Sequence, residues 1–175
     1  MYSYLKKQSD PLPLPKDRPY ECWTYNYTDR VHIHIFNVYQ PKSPLSEMHI
    51  PFAASLIRLL RDVKVERPDI ESVSCGSWLN SSPPFQALFP EQWTRNAEPR
   101  PDVRYTMGHW GQFTDRRRDF HAWNGARFRE TGKFPLPNLR CESPIEAVLA
   151  HLMAHFPEAV AYNEALEEEC LIRSD

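Results

Sequence analysis

The chain has 175 residues, of which 41% are hydrophobic and 13% aromatic, and its formal net charge is −2. This length and apolar content suit one domain with its own core, and they exclude a disordered chain, which would lack large apolar groups. A net charge close to zero argues against nucleic acid as a partner, and no apolar run approaches the roughly 20 residues that span a bilayer.

The cysteines and the first residues of the chain bear on the cellular compartment. Cys22, Cys75, Cys141 and Cys170 show no tight spacing, which favours thiols over a disulfide framework. The first residues include no apolar stretch of the kind that a secretory signal needs. We therefore expect a cytoplasmic protein with no membrane partner.

Charge is distributed unevenly along the chain. Residues 95–141 carry ten basic and five acidic side chains, whereas residues 142–175 carry one basic and eight acidic side chains. The basic block would attract an anionic ligand. The alternative is that it faces the acidic block as ordinary complementary surface.

The N-terminal part predicts an arm followed by a pair of strands. Residues 10–19 contain four prolines, so we expect residues 1–19 to form an extended arm and residues 20–175 to form a single domain. Residues 21–27 and 31–39 are rich in β-branched and aromatic side chains and predict two strands. In the second strand Val31, Ile33 and Ile35 alternate with polar residues and should face the core.

The remaining elements are predicted from periodicity and from helix-capping signals. An apolar stripe predicts a helix over residues 50–67, and strands are expected over residues 70–79 and 103–114, with short helices between them. A helix over residues 120–131 should end at Gly132. Ser143-Pro144-Ile145-Glu146 matches a capping box and predicts a helix that begins at Ser143, followed by a last helix from Pro157. The order predicts an α+β single domain with a mixed, mainly antiparallel central sheet flanked by helices.

Two histidines in the second strand form a candidate metal site. His32 and His34 are two residues apart, so both imidazoles should project from the same face of the strand. With His121 as a completing ligand, they would suit zinc, iron or copper. The alternative is that these histidines are neutral and hydrogen-bonded, in a polar pocket or on the strand.

The end of the strand over residues 70–79 is a second candidate site. Small and polar residues there lead into a loop, and such strand ends often border ligand pockets. Cys75 would act as a nucleophile if a histidine lay beside it, although a buried structural thiol is the alternative. Trp78 would form a flat wall for a substrate.

The segment over residues 107–113 is the third candidate. Its glycines allow a close approach of the backbone to a ligand, and His109 is the preferred general acid or base because imidazole titrates near neutral pH. Four further side chains are expected to bind the substrate, the two arginines as a clamp for a carboxylate or phosphate: Trp110, Gln112, Arg104 and Arg129.

These features support three hypotheses of function. The first is a small enzyme, with or without a metal ion, that acts on a polar or anionic small molecule. The second is a metal-free acyl- or group-transfer enzyme with His109 as its base, and the third is a non-catalytic binding module. We expect the three candidate segments to border one cavity, and a deep polar pocket would favour the first two hypotheses over the third. A homo-oligomer is compatible with the sequence.

Overall fold

The computed structural model describes residues 18–101, 103 and 106–172. The described part forms one α+β domain with five strands and seven helices. The strands are β1 (Trp23–Tyr27), β2 (Val31–Ile35), β3 (Ser72–Ser77), β4 (Glu98–Pro99) and β5 (Leu139–Pro144). The helices are α1 (His49–Glu66), α2 (Pro83–Gln86), α3 (Gln92–Arg95), α4 (Met107–Trp110), α5 (Ala122–Thr131), α6 (Ile145–His155) and α7 (Pro157–Ile172).

The strands form one mixed sheet in the order β1-β2-β3-β5-β4. β2 and β3 run parallel, and every other neighbouring pair is antiparallel. The parallel pair is joined through α1, because a chain that re-enters a sheet in the same direction needs a crossover. This arrangement confirms the predicted fold class. The predicted N-terminal arm falls outside the described residues except for residues 18 and 19, so that boundary stays a prediction.

The core lies on one face of the sheet. Val31, Ile33 and Val73 are almost completely buried there, and the indole of Trp23 stacks on Phe52 of α1 with 4.3 Å between ring centroids. α7 packs on α1, where the Asn163 amide donates a hydrogen bond of 2.9 Å to the carbonyl of residue 54. The prediction that alternate residues of β2 point into the core is confirmed.

The opposite face of the sheet, here called the polar face, carries the other half of the alternating side chains. Strand register aligns its members across the sheet, because residues paired between neighbouring strands share a face. They include Asn26, His32, His34, Ser74, Gly76, Arg140 and Glu142. His32 and His34 are therefore on one face, as predicted.

A buried asparagine fixes the chain where it leaves β3. Asn80 lies in a 3-10 turn and is completely buried. Its amide nitrogen donates to the carbonyls of Cys75 (2.9 Å) and Leu139 (2.8 Å), and its oxygen accepts from the Trp93 indole (3.0 Å). These bonds hold the end of β3 against β5 and so position the loop that follows.

The strand predicted over residues 103–114 is wrong. Helix α4 and a 3-10 turn over Gly111–Phe113 take its place. The Gln112 amide nitrogen donates to the carbonyls of His109 (3.0 Å) and Leu136 (3.2 Å), which supports a local turn. Trp110 and Phe113 are three residues apart and pack together at 5.4 Å, a spacing that a helical turn brings to one side.

The capping box predicted at Ser143 is also wrong. Ser143 pairs with Val73 inside the β3–β5 ladder, and its hydroxyl accepts a hydrogen bond from Gln92 at 2.9 Å. α6 begins after Pro144, and no side chain caps it. Glu146, the other half of the predicted box, pairs with Lys64 instead. Because Ser143 is paired with β3 in the ladder, it does not act as the N-cap of α6.

Within the described part of the chain, no helix has both the length and the apolar character that crossing a membrane requires.

Candidate functional site

A cavity of about 700 Å³ lies where one end of the polar face meets the segment that contains α4. Its wall includes His34 from β2, Trp78 from the turn after β3, and His109 from α4. The prediction that these three segments border one cavity is confirmed, although His109 lies on a helix rather than on a strand. His32, on the same face as His34, lies outside the lining.

His109 is buried in the wall of this cavity. Its side chain is 5% exposed, and its ring lies 4.1 Å from the ring centroid of Phe134. Burial lowers the pKa of the His109 imidazole below its ordinary value, so the ring is neutral at neutral pH. Its Nδ1 atom is buried and has no hydrogen-bond partner among the described residues.

Asn138 and Arg100 lie next to each other in the cavity wall. The backbone N–H of Arg100 donates to the Asn138 carbonyl at 2.9 Å, which continues the β4–β5 pairing by one step. By the alternation of the ladder, both side chains then lie on the polar face. Asn138 is 8% exposed, and its Oδ1 atom, like Nδ1 of His109, has no partner in the described part of the chain.

Gly76 leaves room for the Arg100 side chain on the floor of the cavity. A Cβ atom at Gly76 would overlap the guanidinium of Arg100. On the opposite side, the Trp78 indole donates a hydrogen bond of 3.0 Å to the carbonyl of Gly108 and so joins α4 to the end of β3. The cavity is thus held between the sheet and the α4 segment by defined contacts.

Cys75 borders the cavity but belongs to the core. Its side chain is 2% exposed and lies on the core face, opposite Cys141 of β5. Burial raises the pKa of the Cys75 thiol to about 12. A thiol that stays protonated at neutral pH is a weak nucleophile, which favours the structural alternative.

Three of the predicted substrate-binding residues, Trp110, Gln112 and Arg129, are not in the cavity lining. Trp110 packs in an aromatic cluster with Phe113, Phe128 and Phe134, and Gln112 is buried with its amide bonded to backbone groups. Arg129 is exposed on α5. Arg104 falls outside the described residues.

The predicted metal ligands have other partners. The His32 ring nitrogens lie 2.7 Å from the hydroxyls of Ser74 and Thr28, and His34 Nε2 lies 2.7 Å from Asn26 Oδ1. His121 caps α5 by accepting from the backbone N–H of residue 124 at 3.3 Å. In the described ranges no three His, Cys, Asp or Glu side chains converge on one point, so the metal site stays a prediction.

The sequence did not indicate Arg100 or Asn138, and Gly76 lay in the second candidate segment without being assigned a role. Gly76 offered a signal, because a glycine inside a strand often marks a close approach of another group. Asn138 and Arg100 offered none, since their proximity depends on the pairing of β4 with β5.

A second concavity, of about 680 Å³, lies at the other end of the polar face. We call it the acidic groove because five carboxylates line it together with Arg30 and Arg140. Arg30 pairs with Glu142 and, at 2.5 Å, with Asp29. The hydrogen bonds from Arg30 hold the pKa of Asp29 well below its usual range. The two ends of the polar face therefore differ in charge.

No protein-family model, no curated protein and no solved structure matches this chain.

Proposed function

We propose that the cavity binds a small polar molecule and that His109 exchanges a proton with this molecule as a general acid–base group. The observation that carries the proposal is that His109 and Asn138 line one cavity and that each carries a buried polar atom, Nδ1 and Oδ1, without a partner among the described residues. Buried polar atoms are nearly always hydrogen-bonded, and each unsatisfied one costs about 1–3 kcal/mol. A bound ligand would supply both partners.

The environment of His109 suits a base. A neutral imidazole has one nitrogen that can accept a proton, and an apolar surrounding keeps it neutral at the pH of the cell. The Gln112 bond to the His109 carbonyl holds the backbone, and Phe134 packs against the ring. A base fixed in this way needs little rearrangement when a substrate binds.

Turnover can be tested while the substrate is still unidentified. A small-molecule extract from cells is incubated with the protein, and compounds that are consumed or formed are followed by mass spectrometry. We expect the His109→Gln variant, which keeps a polar side chain but does not titrate, to lose activity about a hundredfold or more.

His32→Gln is the matched control for this experiment. Burial also lowers the pKa of His32, but both its ring nitrogens have partners and it lies outside the cavity. We expect it to retain turnover. Equal changes with the wild-type protein and His109→Gln, or no change with the wild type, would contradict the enzymatic proposal, and binding without turnover would favour a binding module.

A further inference from the structure

We infer that His151 and His155 form a surface site for a divalent transition-metal ion of the zinc or copper type. The two residues lie one turn apart on α6 and neither lines the cavity, so this inference is independent of the proposed function. Three observations carry it: the proximity of the two imidazoles, the hydrogen bond that orients one of them, and the acidic character of this part of the chain.

The two imidazole rings lie side by side. Residues four positions apart share one side of a helix, and the ring centroids of His151 and His155 are 4.5 Å apart. Two nitrogen atoms that bind one tetrahedral zinc ion, each at about 2.0–2.1 Å, are about 3.4 Å from each other. Because the nitrogen atoms lie on the edges of the rings, small side-chain rotations bring one atom from each ring to that separation without moving the helix.

The ring of His151 is held in the form that a metal ligand needs. Its Nε2 atom lies 3.0 Å from the carbonyl oxygen of Ala87. A carbonyl only accepts hydrogen bonds, so in the neutral ring Nε2 carries the proton and Nδ1 keeps a lone pair for a metal ion. Histidines that bind metals almost always donate their other ring N–H to such a group, which fixes the tautomer and the orientation of the ring.

The ring of His155 is accessible to an ion from solvent. It is exposed in the last turn of α6, and its nitrogen atoms make no hydrogen bond within the described part of the chain. By contrast, both ring nitrogens of His32 have hydroxyl partners. An ion at the α6 pair would displace no protein partner from His155.

The charge of this region favours a cation. Residues 142–172 contain seven glutamates and no lysine or arginine, and Glu158 follows His155 in the first turn of α7. No third His, Cys, Asp or Glu side chain joins the pair in the described ranges, so water would complete the coordination. Imidazole suits zinc, copper and nickel, whereas Mg²⁺ and Ca²⁺ are bound by oxygen ligands. The site should therefore select a transition metal.

Metal titration of the full-length protein without an affinity tag tests the site. The chlorides of Cu²⁺, Zn²⁺ and Mg²⁺ are each titrated by calorimetry, and the histidine rings of isotope-labelled protein are followed by NMR during the Zn²⁺ titration. We expect Cu²⁺ to bind more tightly than Zn²⁺, in the usual order of metal affinities, and Mg²⁺ not to bind. Zn²⁺ should shift the ring signals of His151 and His155 together.

Single variants assign the ion to this pair. We expect His155→Asn, which removes an exposed ring, to stay folded and to weaken Zn²⁺ binding about tenfold or more, and His151→Asn to weaken it as much. His49→Asn is the matched control and should leave binding unchanged. His49 Nδ1 also lies close to a backbone carbonyl oxygen, at 2.8 Å, but no histidine lies three or four residues away from it. Thermal unfolding of each variant checks that it is folded.

The remaining outcomes contradict the inference. If Zn²⁺ does not bind at millimolar concentration, or if folded His155→Asn binds it as tightly as the wild type, the site on α6 is overturned. Loss of Zn²⁺ binding in His32→Asn or His34→Asn, with full binding in both α6 variants, would place the ion on β2 instead. An equal loss in His49→Asn would show that the ion binds exposed histidines without selection. The turnover experiment with the cell extract is independent of these results.

Discussion

Asn138 and Asn80 are both buried asparagines, but they differ in the hydrogen bonding of their side-chain oxygens. Asn80 uses its amide fully, donating to two carbonyls and accepting from the Trp93 indole. Asn138 is nearly as buried but leaves its oxygen without a partner among the described residues. An unsatisfied buried acceptor lowers stability, and this cost is the reason that the proposed function assigns the Asn138 oxygen a partner on the ligand.

The two asparagines should therefore respond differently to replacement by leucine. We expect Asn138→Leu to leave the free energy of unfolding unchanged or to raise it by about 1 kcal/mol, since it removes an unsatisfied acceptor. Asn80→Leu should lower it by roughly 3 kcal/mol or more, because it leaves several buried groups unpaired. Urea unfolding with an unchanged denaturant slope measures both changes. A loss at Asn138 as large as that at Asn80 would mean that Asn138 is structural.

His109 should make stability depend on pH. Its pKa is lowered in the folded state by burial, so the unfolded chain binds the proton more readily. The stabilisation is complete above the ordinary histidine pKa of about 6.5 and is lost as the pH falls through the lower pKa of the folded state. The free energy of unfolding should therefore fall less steeply below pH 6.5 in His109→Gln than in the wild type. His32, whose pKa is also lowered, should account for part of the remaining slope, and equal slopes in the two proteins would contradict a buried neutral His109.

At the scale of elements, two glycines of the cavity wall, one in β3 and one in α4, differ in the space around them. A Cβ atom at Gly76 would overlap the guanidinium of Arg100, whereas a Cβ atom at Gly108 would meet nothing within 4 Å. Since the end of an arginine side chain moves easily, the overlap at Gly76 should displace the charge rather than unfold the sheet.

Gly76→Ala and Gly108→Ala form a matched pair. We expect Gly76→Ala to weaken the binding of compounds retained from a cell extract about tenfold, because the Arg100 side chain in the cavity wall is moved, with little change in the melting temperature. Gly108→Ala should leave the binding close to wild type and should not lower the melting temperature, since alanine favours the helix. Equal effects of the two variants would show that the position of Arg100 is unimportant.

Elements with a strong local pattern were predictable from the sequence, and elements decided by distant contacts were not. The apolar stripe of α1 gave both bounds to within one residue, and the alternation in β2 gave its start, although the strand ends at Ile35 and not at residue 39. Residues 107–113 were predicted to lie in a strand interrupted by glycines, yet they form a helical turn that the Gln112 hydrogen bonds and the aromatic cluster stabilise. The sequence around Ser143 matches a helix-capping motif, but Ser143 pairs with β3 in the sheet instead. The alternation of Leu139, Cys141 and Ser143 with charged residues was the overlooked signal of β5.

At the scale of the whole molecule, the sequence predicted which segments meet at the cavity, but it did not predict all of the residues in the cavity wall. Imidazole, indole and glycine in three predicted segments were enough to predict that the segments meet. Arg100 and Asn138 could not be predicted, because they join the wall only through the β4–β5 pairing, and β5 itself was missed. A sheet brings together residues that are far apart in sequence, and local patterns carry little information about which ones.

Ligand binding through His109 and Asn138 is tested most directly by equilibrium dialysis of a small-molecule cell extract against the wild-type protein and the His109→Gln/Asn138→Leu double variant. Mass spectrometry then identifies the compounds that each protein retains. We predict that the wild type retains a small polar molecule and that the folded double variant does not, because both buried polar partners have been removed. Retention of the same compounds by both proteins, or of none by the wild type, would contradict the assignment of this cavity as a ligand site.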